Sequence, residues 1–276
     1  MKAYIPGPDM GTDEAAMAWV HDEIGRAVGL PRVIGGIPLD EIGATGFGLA
    51  VAASAIEDLV GVKVHGARVA IQGFGAVGKN AARFLSERGA IVVALSDSRG
   101  AIVNERGIDV ATAIARKEAG HSVRDLDGTS ITHDQLIRVE CEIWIPAARP
   151  DVLTSDNVDG MRTELVLSGA NIPATPEAEA KLHRRGVWVL PDFIANAGGV
   201  ICAAVEHRGG TQAQALATIE EKITANAREV IARAKKASAL PRDAAERMAL
   251  SRVEEASRYR RRGWPVPPSE AQPLDL

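Results

Sequence analysis

Gly73, Gly75 and Gly78 stand at G-x-G-x-x-G spacing, directly after the apolar run Val69-Ala70-Ile71 and at the head of an amphipathic stretch. That arrangement is the fingerprint of a dinucleotide site, and each glycine has its own task. Gly73 permits the tight turn out of a strand, Gly75 lets the backbone approach a pyrophosphate, and Gly78 lets the next helix pack closely on the sheet. Phe74, Ala76 and Val77 complete the turn, whose free N–H groups at a helix start would meet the phosphates. Asp97 closes the next apolar run, about where an acid would accept hydrogen bonds from the adenosine ribose. Its charge favours NAD by repelling a 2′-phosphate, while Ser98 and Arg99 could accommodate one, so NAD is expected with NADP possible. The plain alternative is a Gly-rich turn in an ordinary βαβ unit.

These residues need a sheet to hold them. Upstream, Thr12 is placed to cap a helix over about 12–28, with Met17, Val20, Ile24 and Val28 at helical spacing and Gly29 and Pro31 as its stop. Residues 32–48 are rich in Gly and Pro and read as irregular, and a second helix is expected over 45–59. Downstream come a strand at 91–95, a short strand at 101–103, a helix at 108–117 and a polar, exposed stretch at 120–134. Apolar runs at 141–145, 165–167 and 187–190 suit buried strands. The segment 175–185 reads as a helix with Thr175 as cap and Pro176 at its first position. Helices are expected at 195–206, 212–236 and 241–261, before a frayed tail marked by Gly263, Pro265, Pro267 and Pro268. The pattern is α/β: a doubly wound, mainly parallel Rossmann-type sheet with helices on both faces and a helical C-terminal segment.

Four further motifs accompany the fingerprint IQGFGAVGK at 71–79: PGPDMGTDE at 6–14, GATGFG at 43–48, GANIPATPEA at 169–178 and LPDFIANAGGV at 190–200. Together they resemble one family, the glutamate, leucine, phenylalanine and valine dehydrogenases. The resemblance runs almost end to end and corresponds to roughly the C-terminal two thirds of a typical member. It implies an N-terminal domain that holds the amino acid across a cleft from the cofactor domain. Residues 1–44 would then be a remnant of that domain or its hinge, 45–210 the dinucleotide domain and 211–276 C-terminal helices and tail.

In the family a lysine in a Gly-rich segment activates water and an aspartate moves protons to and from the substrate nitrogen. Asp9 matches the aspartate; its alternative is an Asp in a Pro-Gly turn. Such a carboxylate needs closure that excludes water and raises its pKa. None of Lys2, Lys63, Lys79, Lys117, Lys181, Lys222, Lys235 or Lys236 has the glycine context of the base, which is expected to precede Met1. The resemblance places Thr45 at the nicotinamide carboxamide, although a capping hydroxyl would read the same way. Glu41 stands where members usually carry arginine. Ala147 and Ala148, after Pro146, would leave room for a ribose. Asn171 matches an asparagine near the nicotinamide ribose and carboxamide, or is a turn residue tolerating the left-handed region. Asn196, Gly198 and Gly199 would open a helix on the cleft. Ala203 stands where glutamate-specific members carry a serine for the side-chain carboxylate. A buried γ-carboxylate without that donor is costly, so aliphatic amino acids are at least as plausible as glutamate.

The totals agree with such a protein. Over 276 residues, 46% are hydrophobic and 25% charged, with a net charge of −4, which is ordinary for a globular chain and not basic enough for nucleic acid. No apolar run is expected to span a membrane, and the first residues lack a signal core. Cys141 and Cys202 lie in apolar segments without metal spacing and read as buried reduced thiols, which fits the cytoplasm. The expected function is oxidative deamination of an L-amino acid to a 2-oxo acid and ammonia with NAD(P). The rival is an NAD(P)-binding pseudoenzyme or regulatory subunit; an emptied structural remnant is a third. Expected partners are the amino acid or 2-oxo acid and either further copies of the chain or a separate N-terminal-domain chain, with no nucleic acid, membrane or metal.

Overall fold

The computed structural model describes residues 4–9 and 11–259. The chain runs through α1 (Glu14–Ile24), α2 (Leu39–Ile42), α3 (Ala44–Val60), β1 (Arg68–Gln72), α4 (Ala76–Glu87), β2 (Ile91–Asp97) and β3 (Gly100–Val103). It continues with α5 (Val110–Glu118), β4 (Thr129–Ile131), α6 (His133–Ile137), β5 (Ile143–Pro146), β6 (Leu165–Leu167) and α7 (Pro176–Arg184). Last come β7 (Trp188–Leu190), α8 (Asp192–Ala195), α9 (Gly198–His207), α10 (Gln212–Ala237) and α11 (Pro241–Ser257).

The strands form one sheet in the order β4-β3-β2-β1-β5-β6-β7. β2, β1, β5, β6 and β7 pair in parallel, while β3 and β4 extend one edge antiparallel. Alternate residues face opposite layers. Val69, Ile71, Ile143, Ile145, Leu165 and Leu167 belong to the core shared with α3, α4, α9 and α10, and Ala70, Trp144 and Val166 to a second core closed by α6 and α7. Both sheet faces are thus covered, which is why these strands are apolar throughout rather than alternating. The expected doubly wound α/β fold with its helical C-terminal segment is present.

Several local expectations change. The first helix starts at Glu14, because the Asp13 side chain accepts from Ala16 N at 2.9 Å while Thr12 is used in a turn with Asp9. It stops at Gly25 in the left-handed conformation rather than near Gly29, so Val28 is buried from an irregular segment. Within 32–48 lie a short 3₁₀ turn, α2 and the start of α3. The polar stretch 120–134 contains β4 and the start of α6, and Ser122 and Val123 inside it are buried. The expected helix at 195–206 is split between α8 and α9. The end of the 241–261 expectation and the tail after Gly263 lie outside the described residues. Both cysteines are free and buried, and burial pushes each thiol up to about 12.

One expectation about length also fails. Leu39–Val60 is long and apolar enough to cross a membrane, at mean hydropathy 1.3, but 72% of its apolar window is buried inside the protein. Most of it is α3, the central core helix, with Ala50, Ala52 and Ala53 letting neighbours approach. Its crossing with α4 is close. A Cβ on Gly46 would lie 2.5 Å from the backbone nitrogen of Ala81 and 2.6 Å from the carbonyl carbon of Asn80.

Gly46→Ala therefore sets a helix-propensity gain of up to about 1 kcal/mol against overpacking that costs about 1–3 kcal/mol. Because the clash is with backbone, which cannot rotate away, overpacking wins. Denaturant melts should show a lowered midpoint; a stabilised variant would mean that the α3–α4 crossing is looser than described.

Candidate functional site

The chain leaves β1 for β2 on one side and returns as β5 on the other, so the C-terminal ends of β1 and β5 form the switch point at which open α/β sheets leave a crevice. The strands stay paired to its lip: the Ala147 N–H donates to the Gln72 carbonyl at 2.7 Å. Gly73 turns there with φ +94°, and a Cβ on it would lie 2.8 Å from the Ala147 carbonyl oxygen. Gly78 sits against the same turn, where a Cβ would strike the Gly73 carbonyl oxygen. Gly75 is different, since nothing lies within 4 Å of a Cβ built on it. The space in front of the N-terminus of α4 is open, and the first-turn N–H groups of a helix have no intrahelical partner. A pyrophosphate fits that cradle on both counts.

Around the cradle, Ala76 and Ser98 are exposed and Val77 is partly exposed. The Phe74 ring is only 1% exposed and packed in the core, so only its backbone faces the crevice. A narrow cleft lined by Asp40, Thr45, Gly46, Ala76 and Val77 joins the start of α4 to the start of α3. Two glycines draw these helices together: Gly46, described above, and Gly43, which has φ +75° and carries the Asn80 side chain where a Cβ would be. Thr45 does not cap α3. Its Oγ1 lies 2.9 Å from where a Cβ on Gly199 would be, and a Cβ on Gly198 would strike the Ala44 carbonyl oxygen. Close packing therefore brings the start of α9 to Thr45. Asp40, exposed at the mouth of this cleft, has its carboxyl pKa raised by desolvation from the surrounding chain and then by the Glu14 charge.

On the far side of the crevice Ala148 is exposed and Ala147 partly so. Asn171 is exposed on the loop after β6, and its Oδ1 accepts from Asn196 Nδ2 at 2.8 Å. Asn196 also donates to the Gly169 carbonyl at 3.4 Å. Asn196 lies in the break between α8 and α9, three residues before Gly199. Fingerprint turn, Thr45, Gly199, Asn196 and Asn171 thus form one continuous rim.

Asp97 does not face that rim. Its side chain is 4% exposed. Oδ2 accepts from Lys117 Nζ at 2.9 Å and Val123 N at 3.1 Å, and Oδ1 from Arg99 N at 2.9 Å and Ser122 Oγ at 3.1 Å. Burial alone would raise its pKa, but Lys117, the two backbone donors and Ser122 outweigh it and hold the carboxyl at about 2. A carboxylate offers about four acceptor positions, and here all are taken by the chain itself. Lys117 and Ser122 were not singled out from sequence. They lie 20 and 25 residues from Asp97 and carry no local signal.

Asp9 is exposed, in a turn where Asp9 N donates to Thr12 Oγ1 at 2.8 Å. The neighbouring Pro8 packs on Gly29, whose N–H donates to Glu206 of α9 at 2.6 Å; Leu30 N–H donates to the other oxygen at 3.0 Å. Glu206, also missed, is what ties this N-terminal segment to α9. Glu41 pairs instead with Arg32 at 3.0 Å on the surface.

Comparison with known proteins adds a context to this geometry. The profile of the Glutamate/Leucine/Phenylalanine/Valine dehydrogenase family matches residues 35–261. A glutamate dehydrogenase of Aeropyrum pernix is 38% identical over 94% of this chain and 66% of its own length. An NADP(+)-dependent glutamate dehydrogenase of Pyrobaculum calidifontis is 37% identical over the same shares. The leucine-bound crystal structure of the hetero-hexameric glutamate dehydrogenase from Thermus thermophilus superposes with a TM-score of 0.82 at 30% identity, covering 92% of this chain and 64% of that one. The chain thus spans just under two thirds of the length of these relatives.

The Asp97 cluster yields a test independent of any ligand. A carboxyl whose folded pKa is depressed stabilises the fold above its unfolded value of about 3.9, and this stability is lost as pH falls toward about 2. Asp97→Asn should cost about 1–3 kcal/mol at pH 7, with about half of the difference gone by pH 3. Urea midpoints of both proteins at the two pH values check this, and an undiminished difference at pH 3 would contradict it.

Proposed function

The chain belongs to the Glutamate/Leucine/Phenylalanine/Valine dehydrogenase family, and from that premise we propose that it forms the cofactor half of an L-amino-acid dehydrogenase. The reaction takes an amino acid to a 2-oxo acid and ammonia. The observation that carries the reading is the continuous rim from the open start of α4 through Thr45 to Asn171. When bound, a nicotinamide dinucleotide supplies the hydride acceptor. The N–H groups at the start of α4 hold its pyrophosphate, Thr45 and Asn171 orient the nicotinamide end, and Ala147 and Ala148 leave space for a ribose. Asp9 exchanges a proton with the substrate nitrogen. Its exposure here means that water is excluded by whatever holds the amino acid opposite, a further domain or another chain in an oligomer.

Cofactor choice reads differently from the folded chain than from its sequence. The carboxylate of Asp97 is neutralised by Lys117 and turned inward, which removes the repulsion that favoured NAD over NADP. Ser98 and Arg99 remain exposed beyond it, so both dinucleotides are accepted. The relative from Pyrobaculum, named as NADP(+)-dependent, is in keeping with this. For the amino acid, the relatives are named for glutamate, whereas Ala203, standing where a serine would hold a side-chain carboxylate, favours an aliphatic substrate. A second reading, cofactor binding without turnover, draws on the lysines. Lys79, Lys117 and Lys181 are each paired with a carboxylate, at 2.8, 2.9 and 2.7 Å, which does not suit a water-activating base.

Calorimetric titration of this polypeptide should show NADH and NADPH binding below about 1 mM. Gly75→Ala should keep the thermal midpoint, because its Cβ meets nothing, yet weaken NADH about tenfold or more. Unchanged binding in that variant would remove the pyrophosphate from the start of α4. Amino-acid oxidation by this polypeptide alone should stay below detection; NADH production from leucine or glutamate would show that one of its own lysines serves as the base.

A further inference from the structure

Among the described residues three carboxylates are buried: Asp97, Glu179 and Asp192. The latter two share one guanidinium. Arg242, in the first turn of α11, donates to both oxygens of Glu179 at 2.8 and 2.7 Å and to Asp192 Oδ1 at 3.1 Å. The other oxygen of Asp192, at the start of α8, accepts from the backbone N–H of Ile172 at 2.8 Å. Ile172 follows Asn171 on the loop after β6 and holds φ +47°, a left-handed conformation that is strained for a β-branched residue. Its side chain is 58% exposed, so burial does not offset the strain. The backbone carbonyl of Ile172 accepts from Asp151 N at 2.9 Å. The loop is thus held by its backbone, and the stronger of the two anchors is a charge-assisted bond to a carboxylate that Arg242 in turn fixes.

The geometry points to Arg242 as a positioning residue for the nicotinamide end of the site, acting through Asp192 and the strained Ile172 backbone on Asn171. This rests on the cofactor reading given above. The connection is specific to one half of the ligand. The pyrophosphate cradle at the start of α4 and the Asp97 cluster share no contact with Arg242, Glu179 or Asp192. Loosening this relay should therefore cost nicotinamide contacts and leave the adenosine diphosphate half untouched. A purely structural role, welding α11 to α7 and α8, would lower stability and affect both halves alike or neither.

The test uses the whole chain and two probes, NADH and ADP-ribose, which shares everything but the nicotinamide. Arg242→Met should weaken NADH about tenfold and change ADP-ribose by less than about twofold, with Arg242→Lys in between. Asp192→Asn, which keeps the size of the side chain and removes its charge, should give the same split if the methionine variant folds poorly. In a double-mutant cycle, Arg242→Met added to Asn171→Ala should cause little further loss of NADH affinity, because both act on one contact. Parallel loss of both ligands, no loss of either, or additive losses in the cycle would overturn the inference. Failure of the unsubstituted chain to bind ADP-ribose would overturn the cofactor reading and this inference with it, whereas normal ADP-ribose binding with an unaltered NADH ratio would overturn the relay alone.

Discussion

The site depends on the contact between the first turn of α3 and the two helices beside it. Gly43 and Gly46 lie against Asn80 and Ala81 of α4, and Gly198 lies against Ala44. At each of these points a methyl group would overlap backbone or a buried side chain. The consequence is positional. Three helix starts, those of α3, α4 and α9, converge within a few ångströms at the C-terminal edge of the sheet, so that Thr45 faces both the fingerprint turn and the NAGG segment. A site assembled from helix starts also gathers unpaired N–H groups and the positive ends of helix dipoles, which suits an anionic ligand before any side chain is considered.

The rest of the molecule serves to keep that convergence rigid. Both faces of the sheet are packed, and α10 closes the outer side of α3 with Ile219, Ile223 and Val230 fully buried. Polar ties then fix the segments that packing does not. Glu206 holds the loop after α1, Asp97 gathers the β2–β3 turn and residues 117–123, and Arg242 joins α11 to α7 and α8. Each tie is built on carboxylates, Glu206, Asp97, and Glu179 with Asp192, whose oxygens accept from donors in distant parts of the chain. Buried carboxylates without such matching would be costly, so these clusters specify one arrangement rather than merely tolerate it.

This division explains what could be read from the sequence. The strand-turn-helix around Gly73, the strand Leu165–Leu167 and the Thr175-capped α7 rest on local signals, namely glycine spacing, apolar runs and caps, and they stand where expected. Helix ends with competing signals were less legible. Gly25 and Gly29 can each stop α1, and Asp13 and Thr12 can each cap it, so choosing needs the hydrogen bonds themselves. The segment 120–134 is exposed over most of its length, as its polarity suggests, but Ser122 within it is buried where a carboxylate needs its hydroxyl. Thr132 and Gln135 did carry a legible signal, a capping box opening α6. For the site, residue types and order single out Thr45, Asn171 and Asn196, which the fold brings beside the fingerprint turn, but they reveal neither the inward turn of Asp97 nor Arg242. Its partners Asp192 and Glu179 lie 50 and 63 residues away, and no periodicity links them.

The central claim is that one rim orients a dinucleotide from the start of α4 toward Asn171. A crystal structure of the chain with NADH tests it directly. The account predicts the pyrophosphate on the N–H groups of residues 75–77, the nicotinamide carboxamide within hydrogen-bond reach of Thr45 or Asn171, and Asp97 still bound to Lys117. A dinucleotide lying in the reverse direction, or an Asp97 released from Lys117 to take the ribose hydroxyls, would contradict it.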